Sequence, residues 1–216
     1  LLVSRPAFAS ALLAQIPAGR VARADLTPYH ARQIRRFNDP ELTARLGQVW
    51  GELREPAADK QAFIATLRTE LAPVELERAN RSQGRVLYQS LCAACHTLYG
   101  QGAALGPDLT GAGRDNLDYL LENIVDPGAV VTADYRMNVL KLKDGRTLTG
   151  FIAARTARTL TIRGPGESHT VERDEIATTE ESPDSVMPAG LLESLTPAQR
   201  RDLIAYLMHP TQVPLP

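Results

Sequence analysis

Apolar residues follow a helical period over most of the chain and an alternating one in its middle. From residue 1 to about 77 they recur three and four apart, in "FASALLAQI" and again in "KQAFIATLRTEL", the spacing of one helical face. Thr27-Pro28 and Asn38-Asp39-Pro40 place a capping side chain ahead of a first-turn proline. Breaks at Pro17-Ala18-Gly19 and Ala72-Pro73 divide this stretch into four or five short helices, a bundle or the end of a helical-repeat array. His30 stands alone beside Tyr29 and is expected to be a surface or hydrogen-bonded histidine rather than a ligand.

From about 78 the text "ERANRSQGRVLYQSLCAACH" reads as one helix carrying Val86, Leu87 and Leu91 on one face. A glycine-rich loop, "YGQGAALGPDLTGAGR", follows it. "NLDYLLENIVDP" is then an amphipathic helix closed by Asp126-Pro127-Gly128. Over 134–180 the period falls to two. "YRMNVLKLKDGRTLTGFIAA" alternates on both sides of Asp144-Gly145, and "TLTIRGPGESHTVE" does so around Gly164-Pro165-Gly166, two hairpin signals with suitable turn residues. "DEIATTE" supplies a last short strand. Five short strands suggest a small barrel or curled sheet. After Pro183 the helix returns in "SLTPAQRRDLIAYLMHP", with Thr196 as cap, Pro197 in the first turn and Gln199 at the capping-box position. The expected class is mainly α with a small β insert. The expected division is a helical segment at 1–77, a second helical unit at 78–133 and 181–211, the insert at 134–180, and a tail at 212–216.

Composition narrows the partners. The net charge of −1 predicts neither nucleic-acid binding nor strong attraction to a membrane surface. No stretch approaches the roughly 20 apolar residues that cross a bilayer. Aromatic residues make up 5% of the chain, with a single Trp50. The core must therefore rely on aliphatic side chains or on another large apolar body. The chain opens on Leu1 rather than Met, so something is expected to have preceded it. Its first residues have a faint signal-like look but lack a basic lead, and they are read as a helix.

The chain holds two cysteines, Cys92 and Cys95, with His96 directly after them. Random order gives this pattern well under about one time in a thousand. A disulfide between residues this close on a helix gains little and fits poorly. A thioredoxin-like pair needs a strand before its helix. A zinc site needs four ligands, and no second Cys-x-x-Cys exists. Covalent haem attachment remains: two thiols on one turn reach the two vinyl groups, and the adjacent imidazole of His96 becomes the proximal iron ligand. Such an imidazole has its other ring N–H held by an acceptor. The Gly106-Pro107 segment is placed to return beneath the ring, making the Pro107 carbonyl the candidate.

"CAACH", "GPDLTG" and, far downstream, "MPAGL" before "AQRRDLIAYL" together resemble a class I c-type cytochrome. The arrangement resembles the planctomycete-type haem-binding domain, in which a strand-rich segment with words like "KDGRTLTG" interrupts the cytochrome fold after helical repeats. The resemblance covers about 78–211. It implies one haem c with its iron, and Met187 as the second axial ligand. Ninety residues lie between His96 and Met187, and 43 remain once the 47-residue insert is set aside, a comfortable path around a haem. Met137 and Met208 are expected to be packing residues. His209 or His169 would instead give a bis-histidine iron, and an open distal position is the third possibility. The resemblance also implies that Gly84 and Tyr88 meet Leu203, Tyr206 and Leu207 where the first and last helices cross. Leu105, Leu109, Leu120 and Ile124 are candidate pocket walls, and Arg114 and Arg136 candidate propionate partners.

A thioether opposite the imidazole leaves no vacant iron position and raises the potential. The expected function is single-electron relay from a dehydrogenase to a respiratory acceptor, with a redox protein as partner and self-association open. The expectation is an electron-transfer module, alone or within a larger oxidoreductase, with the question of catalysis in its own right left open. Catalytic (peroxidase-like) or sensory use of a displaceable Met187 is the alternative, and a partner-binding module a further one. Attachment of this kind implies the bacterial periplasm, at the membrane only through partners.

Overall fold

Proline opens five of the helices among the described residues, because its fixed φ suits the first turn and its missing N–H is not needed there. These are α1 (Pro6–Gln15), α2 (Pro28–Arg35), α3 (Pro40–Val49), α5 (Pro73–Glu77) and α8 (Pro197–Met208). The remaining helices are α4 (Ala58–Glu70), α6 (Arg81–Leu91) and α7 (Leu117–Val125). Side-chain caps fix several starts: Asp39 accepts from the Leu42 amide, Asn80 from Gln83, Asn116 from Tyr119 and Thr196 from Gln199. The structure, a computed structural model, describes residues 3–111 and 113–216; Leu1 lies outside them.

Two departures from the expected helices bear on the site. The long helix expected through residue 96 is shorter. Asn80 caps its start, and Leu91 is its last residue, with Cys92 at its C-terminal cap. Its buried residues are Gly84 and Tyr88, whereas Val86 is 39% exposed. The segment before it also contains a strand that periodicity does not reveal. β1 (Gly51–Leu53) pairs antiparallel with β2 (Val130–Thr132), Glu52 opposite Val131.

Three hydrophobic clusters result. The first gathers α1, α2 and α3 around Trp50, which is fully buried and donates its Nε1–H to the Leu26 carbonyl. The second is enclosed by α6, α7 and α8 and draws in Ile64 and Leu67 from α4 and Leu71 at its C-terminal cap. The two regions are tied by the β1–β2 ladder and by ion pairs of Arg32 with Glu122 and of Arg54 with Asp126.

The third cluster lies inside the sheet. Strands β3 (Arg136–Leu142), β4 (Thr147–Arg155), β5 (Thr159–Gly164), β6 (Glu167–Glu172) and β7 (Ile176–Ser185) form an antiparallel sheet in the order β6-β5-β4-β3-β7. Leu140 and Leu142 of β3, Leu160 and Ile162 of β5 and Val171 of β6 pack with Leu148, Ile152 and Ile176. Residues from both edge strands thus share one core, so the sheet curls on itself. Register shifts in the β3–β7 and β4–β5 ladders supply the bends that curling needs. β7 runs past 180 to Ser185, so the sheet delivers the chain almost directly to Met187.

Candidate haem-binding site

The site is built at the C-terminal end of α6. Past the cap, the chain continues as a turn: the His96 and Cys95 amides both donate to the Cys92 carbonyl, at 2.8 and 3.0 Å. The thiols of Cys92 and Cys95 are unpaired with each other, and each is partly buried. Burial, with a smaller contribution from Cys95, pushes the Cys92 thiol up to about 12, so it stays protonated at neutral pH. Among the described residues no three His, Cys, Asp or Glu side chains are gathered to hold a metal ion; the two thiols and the imidazole do not converge on one point.

The loop after His96 folds back along the motif. Ala103 donates to the Ala93 carbonyl at 2.8 Å, Leu105 to Cys95 at 3.0 Å, and Leu109 to Thr97 at 2.8 Å. This return brings the Pro107 carbonyl to 2.8 Å from His96 Nδ1. With the proton on Nδ1, that bond fixes the tautomer and leaves the Nε2 lone pair for a ligand. A Cβ added to Gly106 would lie 2.7 Å from His96 Cε1 and 2.9 Å from Nδ1. The imidazole therefore rests directly on the Gly106 backbone.

Tyr88 braces the same turn from inside. It is 1% exposed, and its hydroxyl donates to the His96 carbonyl at 2.7 Å, with the Gln101 carbonyl at 3.2 Å. Burial raises its pKa, so it remains a donor. Gly102, at φ +108, allows the loop to pass: a Cβ there would stand 2.1 Å from the His96 carbonyl oxygen. Sequence reading saw a glycine-rich loop but singled out neither Gly102 nor the Tyr88 hydroxyl. The position of Gly102 six residues after His96 is the available signal.

α6 and α8 cross at Gly84, where a Cβ would stand 2.0 Å from the Asp202 carbonyl oxygen and 2.7 Å from Tyr206 Cβ. The Tyr88 and Tyr206 rings lie 5.7 Å apart, and Leu203 and Leu207 are buried in the same cluster. Leu120 belongs to that cluster, and Leu109 and Ile124 pack against it together with Cys92. Leu105 is half-buried in the loop.

Arg114 lies between the loop after His96 and the end of α8. Its Nη1 donates to the Leu207 and His209 carbonyls at 2.5 and 2.9 Å and to the Tyr99 hydroxyl at 2.9 Å; its Nη2 donates to the Thr110 carbonyl at 3.2 Å. The guanidinium also covers the Tyr99 ring, and that hydroxyl donates to the His209 carbonyl. The terminal nitrogens thus close carbonyls at the end of α8 and in the loop at Thr110. Arg136 likewise pairs with Glu181 across β3 and β7, at 2.6 Å.

Met187 sits in the bend after β7, half-buried, its amide donating to Ser185 Oγ at 3.1 Å. Met137 lies half-buried on β3, and Met208 packs against the central cluster. The two histidines weighed as alternatives are engaged locally: His209 Nδ1 lies 2.6 Å from the Thr211 carbonyl and His169 Nε2 3.0 Å from Glu167. His30 completes the capping box of α2 with Thr27.

The residues present fit a covalently held haem. Two reduced thiols flank one turn, and an imidazole oriented by a carbonyl rests on a residue without a side chain. Among the described residues no helix is long and apolar enough to cross a membrane. A family model described as cytochrome c matches residues 82–210, from α6 through the sheet to the end of α8. No curated protein matches the chain.

Proposed function

The chain belongs to the cytochrome c family, which makes it a haem-binding protein of electron transfer with covalent haem c and iron, and we propose that it carries one haem. In this reading Cys92 and Cys95 would hold the haem through thioether bonds, and His96 Nε2 and Met187 Sδ would bind its iron. The observation that carries it is the 2.8 Å contact between His96 Nδ1 and the Pro107 carbonyl.

Bound there, the haem iron supplies exchange of one electron between its ferrous and ferric states. The protein's own residues do the rest. Tyr88 and Gly102 hold the His96 backbone, and Gly106 and Pro107 hold its ring, so the ligand does not reorganise as the charge changes. Leu109, Leu120 and Ile124 keep water from one wall. β7 and the bend after it set the approach of Met187, whose thioether favours the reduced state.

The fold is a class I cytochrome interrupted by the curled sheet and preceded by the helical segment. The function is relay of single electrons, from a dehydrogenase to a respiratory acceptor, in the bacterial periplasm. The test is the absorption spectrum of the matured protein and of Met187→Ala, oxidised and reduced. Wild type is expected to be low-spin, with a methionine–iron charge-transfer band and no reaction with carbon monoxide. The variant should turn high-spin and bind carbon monoxide. A wild-type iron that is five-coordinate, or a low-spin spectrum untouched by the substitution, overturns the ligand assignment.

A further inference from the structure

Away from the cysteines, the end of α2, the chain after β1 and α7 border an open cleft of about 280 Å³, with the carboxylates of Glu55 and Glu122 in its wall. Four arginines line it: Arg32, Arg35, Arg36 and Arg54. Three have carboxylate partners. Arg32 Nε is 2.9 Å from Glu122, Arg35 Nη2 is 3.2 Å from Glu55, and Arg54 grips both oxygens of Asp126 at 2.7 Å. Arg36 is exposed, and its guanidinium has no ion-pair or hydrogen-bonded partner among the described residues.

The pairs leave this corner positive. The Glu55 side chain is 73% exposed, so water screens much of what it offers Arg35. Arg32 Nη1 is buried without an acceptor. Burial, reinforced by Arg36, lowers the Arg32 pKa even though Glu122 opposes it. Asn38 adopts a left-handed φ of 54°, a conformation asparagine tolerates, and turns the chain so that it shares the wall with Arg35 and Arg36.

We propose that this cleft binds a small divalent oxyanion, a phosphate or a dicarboxylate, with Arg36 as its principal charge partner and Arg35 and Asn38 beside it. Guanidinium forks match the paired oxygens of both groups. The volume falls below the roughly 300 Å³ at which pockets for larger organic ligands begin, which limits the guest to an inorganic anion or a small ester or diacid.

The experiment is calorimetric titration of the full haem-loaded chain with inorganic phosphate and, separately, with malonate, in an amine buffer. Arg36→Gln is the principal variant and Arg35→Gln the second. Unchanged haem spectra and melting temperatures show that both remain folded. Saturable one-to-one uptake of either anion, weakened at least about tenfold by Arg36→Gln, supports the proposal; the tighter of the two identifies the chemistry. Absence of saturation by both anions up to about 20 mM, or equal binding by wild type and Arg36→Gln, overturns it.

Discussion

The imidazole of His96 is held between the Pro107 carbonyl, 2.8 Å from its Nδ1, and the backbone of Gly106, which leaves no space for a methyl group. One loop therefore sets both the tautomer and the ring's position. The hydrogen bond determines which nitrogen is free, and the missing side chain determines where it stands.

Gly106→Ala tests this. Its Cβ would meet the ring at 2.7 Å, and neither the ring nor the loop yields without breaking the Pro107 contact. The expected cost is about 1–3 kcal/mol of stability, with a lowered midpoint potential and partial high-spin character. Gly111→Ala is the control, since nothing lies within 4 Å of its added carbon. Equilibrium unfolding and spectroelectrochemical titration of both variants check the difference.

Tyr88→Phe keeps the ring and removes the hydroxyl. The His96 carbonyl then loses its donor in the interior, which costs about 1–3 kcal/mol. Packing against Tyr206 persists, so haem attachment and ligation are expected to survive. The measurement is urea unfolding followed by absorption. Equal stability of variant and wild type would show that water replaces the hydroxyl without loss.

The contrast between these local contacts and the distant ones explains what could be read from the chain. His96 and the returning Pro107 are eleven residues apart, and chain connectivity limits where such a loop can go. Helix starts were legible through Pro28, Pro40 and Pro197, and hairpins through Asp144-Gly145 and Pro165-Gly166, because each signal acts on its own backbone. The end of α6 was not, since a helical spacing runs on through Leu91 into the turn at Cys92. β1 was hidden because its partner, β2, lies about eighty residues away and a three-residue strand has no period. β7 outran its expected end because Pro183 looks like a terminator. On an edge strand, paired only with β3, a residue without an N–H is tolerated.

The clamp between Arg54 and Asp126 makes a third prediction. Asp126 is 7% exposed, and both its oxygens accept from Arg54. Arg54→Ala leaves the carboxylate buried and alone. Because Arg54 itself is half-exposed and water can enter, the expected loss is about 1–3 kcal/mol, below that of a fully buried pair. Adding Asp126→Asn removes the stranded charge and should recover part of the loss. A double-mutant cycle by urea unfolding measures the coupling. A cycle that sums to zero would mean that the two side chains act independently.

Arg114 separates a structural role from an electronic one. Four of its contacts go to the Leu207, His209 and Thr110 carbonyls and the Tyr99 hydroxyl, and its plane covers the Tyr99 ring. Lysine keeps the charge but has neither the fork nor the flat face. Arg114→Lys is therefore expected to cost about 1–3 kcal/mol through unpaired carbonyls at the end of α8. The midpoint potential and its pH dependence should stay near those of wild type. An arginine that held a propionate would give the opposite pattern, since weakening that contact changes the charge next to the iron while α8 stays capped. Thermal melting and potentiometry on the same two proteins distinguish the cases: a large shift in potential with little change in melting temperature would return Arg114 to the cofactor.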